Sequence, residues 1–277
     1  MASDFYTEFE NNFRGSREQI IQVLSNYDGL LDYILKIDNE PTLLDIGSGR
    51  GEWIQKCNDV GFYSIGIELN TNMVNDCKNL NLNIKQGDAL SLLDEFSENS
   101  FSIVSAFHVI EHMNFQDIEK LLNMCKRILK PEGILILETP SIDNFLVSTK
   151  SFYIDPTHIN PIHPELLAFM IKRNGYSKLK YYFINGGPLE EAIPDTLTRV
   201  LNGVAQDLVL IASKSNFIDN KVFKGINLIK RDMKIGITSL EAAIDFDNYS
   251  RKRYSEYDNK ISMMQDRIFV MQDQIIN

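Results

Sequence analysis

Leu43-Leu44-Asp45-Ile46-Gly47-Ser48-Gly49-Arg50-Gly51 is the stretch that decides the fold of this chain. Apolar residues lead into an acid, and three glycines then alternate with small or polar residues. A strand ending in such a turn brings its backbone close to a ligand, because glycine has no Cβ and accepts positive φ. A helix starting near Glu52 points its N-terminal amides at the same ligand. Downstream, Phe62-Tyr63-Ser64-Ile65-Gly66-Ile67-Glu68 reads as a second strand ending in an acid, 23 residues after Asp45. A strand-terminal carboxylate about 20 residues past a glycine turn is placed to hold two ribose hydroxyls.

The spacing separates two cofactor classes. The nicotinamide fingerprint is G-x-G-x-x-G, whereas this run is Asp45-x-Gly47-x-Gly49-x-Gly51. That form resembles motif I of the class I S-adenosylmethionine (SAM) methyltransferases. Further stations of that family follow in order. Leu82-Asn83-Ile84-Lys85-Gln86-Gly87-Asp88-Ala89 resembles a third strand with its adenine-binding acid. Phe101 to Phe107 and then His108-Val109-Ile110-Glu111-His112 resemble the fourth strand and its "H-V-L-E-H" segment. Leu129-Lys130-Pro131-Glu132-Gly133 and the apolar run after it resemble the "L-K-P-G-G" turn and fifth strand. Ser102 and Glu132 depart from the residues common there, at positions that do not normally touch the cofactor.

The resemblance implies an α/β fold, a doubly wound, seven-stranded, Rossmann-like methyltransferase sheet, with SAM as cofactor. It puts Asp45, Gly47 and Gly49 around the methionine portion, Glu68 on the ribose, and Asp88 with Ala89 on the adenine. His108 joins the cofactor site through the backbone that lines the adenine pocket.

Composition fits an enzyme of one large domain plus an appendage: 277 residues, 44% hydrophobic and 24% charged. No apolar run approaches the roughly 20 residues that cross a bilayer, and no signal-peptide pattern opens the chain. Cys57, Cys77 and Cys125 are odd in number, without metal-ligand spacing, and fall in helical patterns. Buried thiols in a reducing cytoplasm are therefore expected. A net charge of −10 argues against a nucleic-acid backbone as the main partner.

Three parts are read along the chain. Residues 1–40 carry helical patterning and form an N-terminal cap. Residues 41–214 alternate strands and helices, closing with a sixth strand near Leu179–Ile184 and a seventh near Asp207–Ala212. By resemblance the seventh inserts antiparallel between its neighbours. Residues 215–277 are a helical extension. In it Tyr254, Tyr257, Ile261, Met264, Ile268, Met271 and Ile275 are spaced 3, 4, 3, 4, 3, 4, the a/d seam of a coiled coil. That seam predicts a homo-oligomer. Its pattern is still running at Asn277, so the natural protein is expected to continue.

Methyl transfer to a hydroxyl needs positioning and a base, and histidine is suited to the second role. His108 and His112 fall at i, i+4 and are read as sharing one face of a short helix. A metal reading is set aside for them, since family side chains pack at these positions. Three prolines in Asp155-Pro156-Thr157-His158-Ile159-Asn160-Pro161-Ile162-His163-Pro164 make a fixed loop. It follows the carboxyl end of the fifth strand, where ligands bind in open α/β sheets. His158 is the candidate general base, with His163 and Asp155 as competitors. Asp155 could instead orient the imidazole or bind a divalent ion, and His163 could simply precede a helix beginning at Pro164.

Phe13-Arg14-Gly15-Ser16-Arg17-Glu18, together with "D-P-T-H-x-x-P", resembles a bacterial branch of the family linked to surface-polysaccharide (O-antigen type) synthesis, often fused to coiled coils or glycosyltransferases. That implies a cytoplasmic enzyme, held at the inner membrane only through partners. It would O-methylate a sugar hydroxyl of a glycan, free or carrier-linked, as a chain-terminating step. Arg14 and Arg17 would meet the SAM carboxylate or an anionic acceptor group. Two rivals stand beside it: methylation of a small molecule or a lipid or quinone headgroup, and a non-catalytic SAM-fold scaffold working through its coiled coil.

Overall fold

The computed structural model describes residues 8–9, 12–186, 196–202, 204–215 and 237–276. Its opening helices follow from local chemistry. Ser16 and Gln19 form a capping box at the start of α1 (Arg17–Val23), each side chain bonding the other's backbone amide. A 3₁₀ turn, Leu24–Tyr27, links it to α2 (Asp28–Ile37), which buries Leu30, Leu31 and Ile34 at helical spacing.

The sheet is then built from alternating elements: β1 (Thr42–Ile46), α3 (Glu52–Asp59), β2 (Tyr63–Glu68), α4 (Thr71–Asn79), β3 (Ile84–Gln86), α5 (Ala89–Leu92), β4 (Phe101–Phe107), α6 (Phe115–Ile128) and β5 (Leu129–Pro140). After β5 come α7 (Phe145–Thr149), a 3₁₀ turn at Ser151–Ile154, α8 (Pro164–Arg173), β6 (Lys178–Gly186), α9 (Leu197–Asn202) and β7 (Ala205–Ser213). The strand order is β3-β2-β1-β4-β5-β7-β6. The five strands β1 to β5 pair in parallel, and β7 runs antiparallel to both β5 and β6. The expected doubly wound sheet with an inserted seventh strand is present. The Lys130–Gly133 segment is not a free turn, since it lies within β5 and is absorbed by a register shift against Phe101 and Ile103.

Alternation along β5 sends Leu135 and Leu137 to one face and Ile134 and Ile136 to the other. The first pair packs with Leu121, Leu122, Leu167 and Ile171 of α6 and α8. The second packs with Tyr27, Leu31, Ile34 and Trp53. Strand β4 is buried at every position, as a parallel strand covered on both faces must be. All three cysteines are buried and reduced, and burial pushes the Cys77 and Cys125 thiols up to about 12.

The chain's last described element is α10 (Ser239–Ile276). Thr238 and Glu241 cap it reciprocally, and Ala242 is buried against the body. From Arg251 to Gln274 every residue is exposed, a shaft of about 36 Å at 1.5 Å per residue. Ile275 at the end of the seam, Glu10 and Asn11 ahead of Phe13, and residues 216–236 of the extension lie outside the described residues or side chains. No described helix is long and apolar enough to cross a membrane.

Candidate active site

At the carboxyl ends of β1 and β2 the glycine loop is folded as a bare backbone cradle. Gly47 has φ +68°, and a Cβ there would meet Val109 Cγ2 at 2.4 Å. Gly49 has φ +54°, and a Cβ there would lie 2.8 Å from Nη1 of Arg14. Both positions therefore demand glycine, and the Arg14 guanidinium rests over the second. The Glu68 carboxylate clamps the loop. It accepts from the Gly49 amide and the Asn70 amide, each at 2.8 Å. A carboxylate has about four lone-pair sites, so each oxygen keeps capacity for a ribose hydroxyl.

Asp45 is 3% exposed and accepts from Ser105 Oγ at 2.7 Å, which in turn accepts from the indole of Trp53 at 3.0 Å. Burial pushes its carboxyl up to about 7, against the opposing pull of Arg14. Asp88 is exposed and caps α5 by accepting from the Ser91 amide, while Ala89 is the half-buried first residue of that helix. Arg17 spends its guanidinium on Gln55 Oε1 at 2.6 and 3.0 Å and on the Arg50 carbonyl at 2.7 Å. It thereby fastens α1 to the loop. A bare loop, a strand-end acid with spare lone pairs, and an arginine beside a buried aspartate fit the carboxylate and ammonium ends of an amino-acid cofactor.

The ends of β4, β5, β6 and β7 form the second half of the site. His108 follows β4 in the left-handed region, φ +54°, its amide donating to the Glu138 carbonyl at 2.8 Å. Its Nδ1 lies 3.3 Å from Glu111 Oε1, and its Nε2 lies 3.5 Å from Glu138 Oε1 and 3.7 Å from Asp207 Oδ1. Tyr27 donates to Glu138, and Asn185 donates to Asp207 at 2.8 Å. Desolvation alone would lower the His108 pKa, but the three carboxylates outweigh it and hold the imidazole well above the usual histidine range. Burial, with Glu138 adding to it, pushes Asp207 up to about 7 against the pull of His108.

The two histidines expected on one helical face diverge. Only a 3₁₀ turn, Ile110–His112, follows β4, and the left-handed backbone of His108 itself swings its side chain towards the strand ends. His112 faces the proline loop instead. Thr157 Oγ1 donates to Asp155 Oδ1 at 2.6 Å, so it accepts from His112 Nδ1 at 2.9 Å. His158 Nδ1 meets the Phe152 carbonyl at 2.7 Å. A carbonyl can only accept, so this nitrogen carries a proton, and in the neutral imidazole Nε2 is the nitrogen with the lone pair. That Nε2 stands 3.9 Å from Asp155 Oδ2 and 4.0 Å from Glu111 Oε1. His163 is elsewhere: it caps α8, accepting from the Glu165 amide at 3.2 Å, as a residue that merely precedes a helix would.

A family profile described as "Methyltransferase domain" matches residues 17–181. The chain belongs to that methyltransferase family. A crystal structure of a SAM-dependent methyltransferase from Archaeoglobus fulgidus superposes with a TM-score of 0.67. It is 29% identical, and the match covers 76% of this chain and 99% of that one. The cofactor of the methyltransferase is SAM. Among curated relatives, a phosphoethanolamine N-methyltransferase of Plasmodium falciparum is 29% identical over 37% of this chain. An uncharacterised protein of Methanocaldococcus jannaschii is 28% identical over 47%. The chain spans 40% and 50% of those two proteins' lengths.

Sequence reasoning missed Glu111, Glu138, Asp207 and Asn185, which gather around His108 in the candidate site. Glu138 did carry a signal, an acid closing the apolar run Ile134-Leu135-Ile136-Leu137. Such a residue in a buried strand needs partners.

Proposed function

We propose that the methyltransferase O-methylates a sugar hydroxyl of a glycan, with His158 as general base. The observation that carries this reading is the orientation of His158. Its tautomer is fixed by the Phe152 carbonyl, and its Nε2 lone pair sits between Glu111 and Asp155. SAM, when bound, would supply the methyl from its sulfonium sulfur, with S-adenosylhomocysteine as the leaving group. The hydroxyl oxygen forms the new bond to carbon while its proton passes to His158 Nε2. Asp155 and Glu111 then stabilise the imidazolium, and Thr157 and Thr139 hold those acids through hydrogen bonds of 2.6 and 3.0 Å. A hydroxyl, with a pKa far above neutral, gains about 10²–10⁴-fold from such a base. A neutral amine does not need one. The exposed or half-buried His108, Thr157, Asn185 and Asp207 also offer the polar groups a sugar requires.

On the cofactor side, Asp45, Gly47, Gly49 and Arg14 would hold the methionine portion, Glu68 the ribose, and Asp88 with Ala89 the adenine. The exposed seam from Tyr254 to Met271 would pair with that of a second copy. One competing reading rests on the three carboxylates around His108, which also suit a cationic amine such as that of the Plasmodium relative's substrate class.

Methyl transfer from labelled SAM to a panel of short glycosides, with phosphoethanolamine alongside, decides between them. Label on one glycoside, lost in His158→Ala, is the expected result. Label on phosphoethanolamine alone would overturn the sugar reading.

A further inference from the structure

We propose that His108, Glu138 and Asp207 form a divalent-cation site of the Mn²⁺ type. The three come from neighbouring strand ends and offer His108 Nε2, Glu138 Oε1 and Asp207 Oδ1, whose pairs with the imidazole measure 3.5 and 3.7 Å. All three ligand atoms lie within 4.8 Å of one another. Donors held about 2.1 Å from one ion stand about 3.0–3.4 Å apart, so small side-chain movements close the set. Each ligand is already held from behind, as metal ligands are. Tyr27 donates to the second oxygen of Glu138, and Asn185 donates to that of Asp207. Glu111 stands behind His108 Nδ1 at 3.3 Å.

The independent observation is Glu111 itself. Its side chain is fully buried, yet Oε1 accepts no hydrogen bond and faces the imidazole. An ion on Nε2 turns the ring so that Nδ1–H is donated to that oxygen, the carboxylate–histidine–metal arrangement. Charge points the same way, because Glu138 and Asp207 share the single imidazole of His108 and their other donors, Tyr27 and Asn185, are neutral. The His108 side chain is 41% exposed, which leaves the ion a route from solvent. One imidazole with two carboxylates suits Mn²⁺ and leaves open positions on an octahedral ion. Those positions would take two adjacent hydroxyls of the acceptor beside His158. That role rests on the sugar reading, but the binding does not.

The test is titration of Mn²⁺ alone into the full chain, without SAM or glycoside, followed by loss of the free-ion electron paramagnetic resonance signal. One equivalent should bind, and His108→Gln and Asp207→Asn should each weaken binding at least tenfold. Wild-type melting should rise with Mn²⁺ while that of a folded Asp207→Asn does not. His112→Ala is the contrast, since Glu111, His112 and His158 also lie within 4.8 Å of one another, and it should bind Mn²⁺ normally. Substoichiometric binding, or binding lost in His112→Ala and kept in Asp207→Asn, overturns the proposal. Either result leaves the glycoside panel to be judged separately.

Discussion

Asp45→Asn should stabilise the fold while removing cofactor affinity, and pH separates the two effects. The Asp45 carboxyl ionises near 7 in the folded chain because it is buried, against about 3.9 in an unfolded one. A folded pKa raised above the unfolded one contributes stability that is full below about pH 4 and is lost as pH rises through about 7. That rise corresponds to about 4 kcal/mol at the alkaline end, of which about 2.5 kcal/mol is lost between pH 5 and pH 8. Asparagine keeps an oxygen for the Ser105 hydroxyl at the same place and has no charge to desolvate. Trp53 is the only tryptophan and its indole bonds Ser105, so its fluorescence reports unfolding two hydrogen bonds from the substitution. In urea unfolding, the stability of the variant relative to wild type should grow by about 2.5 kcal/mol from pH 5 to pH 8. On the proposed placement of the methionine portion, calorimetry at pH 8 should show SAM binding weakened at least tenfold, because the ammonium of SAM would lose an anionic partner. A stability gap that does not change with pH would refute the reasoning, whatever happens to SAM.

Other outcomes follow from the same contacts. Gly49→Ala should lower stability by about 1–2 kcal/mol, the cost of a left-handed non-glycine residue. It should also weaken SAM binding by displacing Arg14, as thermal melts and calorimetry would show. Tyr27→Phe removes a buried donor from Glu138 and should cost about 1–3 kcal/mol in denaturant unfolding. Ile261→Asp combined with Ile268→Asp puts charges into the exposed seam. In sedimentation it should convert an oligomer to a monomer without changing the melting of the methyltransferase body.

What could be read from the sequence was whatever is local. The glycine loop, the acid at Glu68 and the strand rhythm are each set by neighbouring residues. The resemblance then supplied the inserted β7, which no periodicity shows. Ser16 was quoted for its arginine neighbours, yet its structural work is the cap of α1. The polar half of the site was not legible, because His108, Glu138 and Asp207 meet only through strand pairing across long stretches of chain. The two histidines of "H-V-I-E-H" were misplaced for a specific reason: i, i+4 spacing implies one face only in an α-helix, and a left-handed residue followed by a 3₁₀ turn stands there. The seam of α10 was legible as a pattern. Its exposure along the whole shaft is a tertiary fact.

The antiparallel insertion of β7 also sets a clock on synthesis. Strand β7 enters between β5 and β6 with its leading residues beside the end of β5, pairing Pro140 with Asp207. The cofactor loop, with Glu68, Asp88, Ser105 and Val109 around it, has been made once β4 and the turn after it have left the ribosome. The acidic end waits for a residue made much later, and for a strand that must slot between two others already emerged. A nascent chain stopped before β7 carries every residue of the cofactor loop and His158, but lacks Asp207 and the strand that joins β5 to β6. The seven-stranded sheet is continuous only once this last strand has paired on both sides.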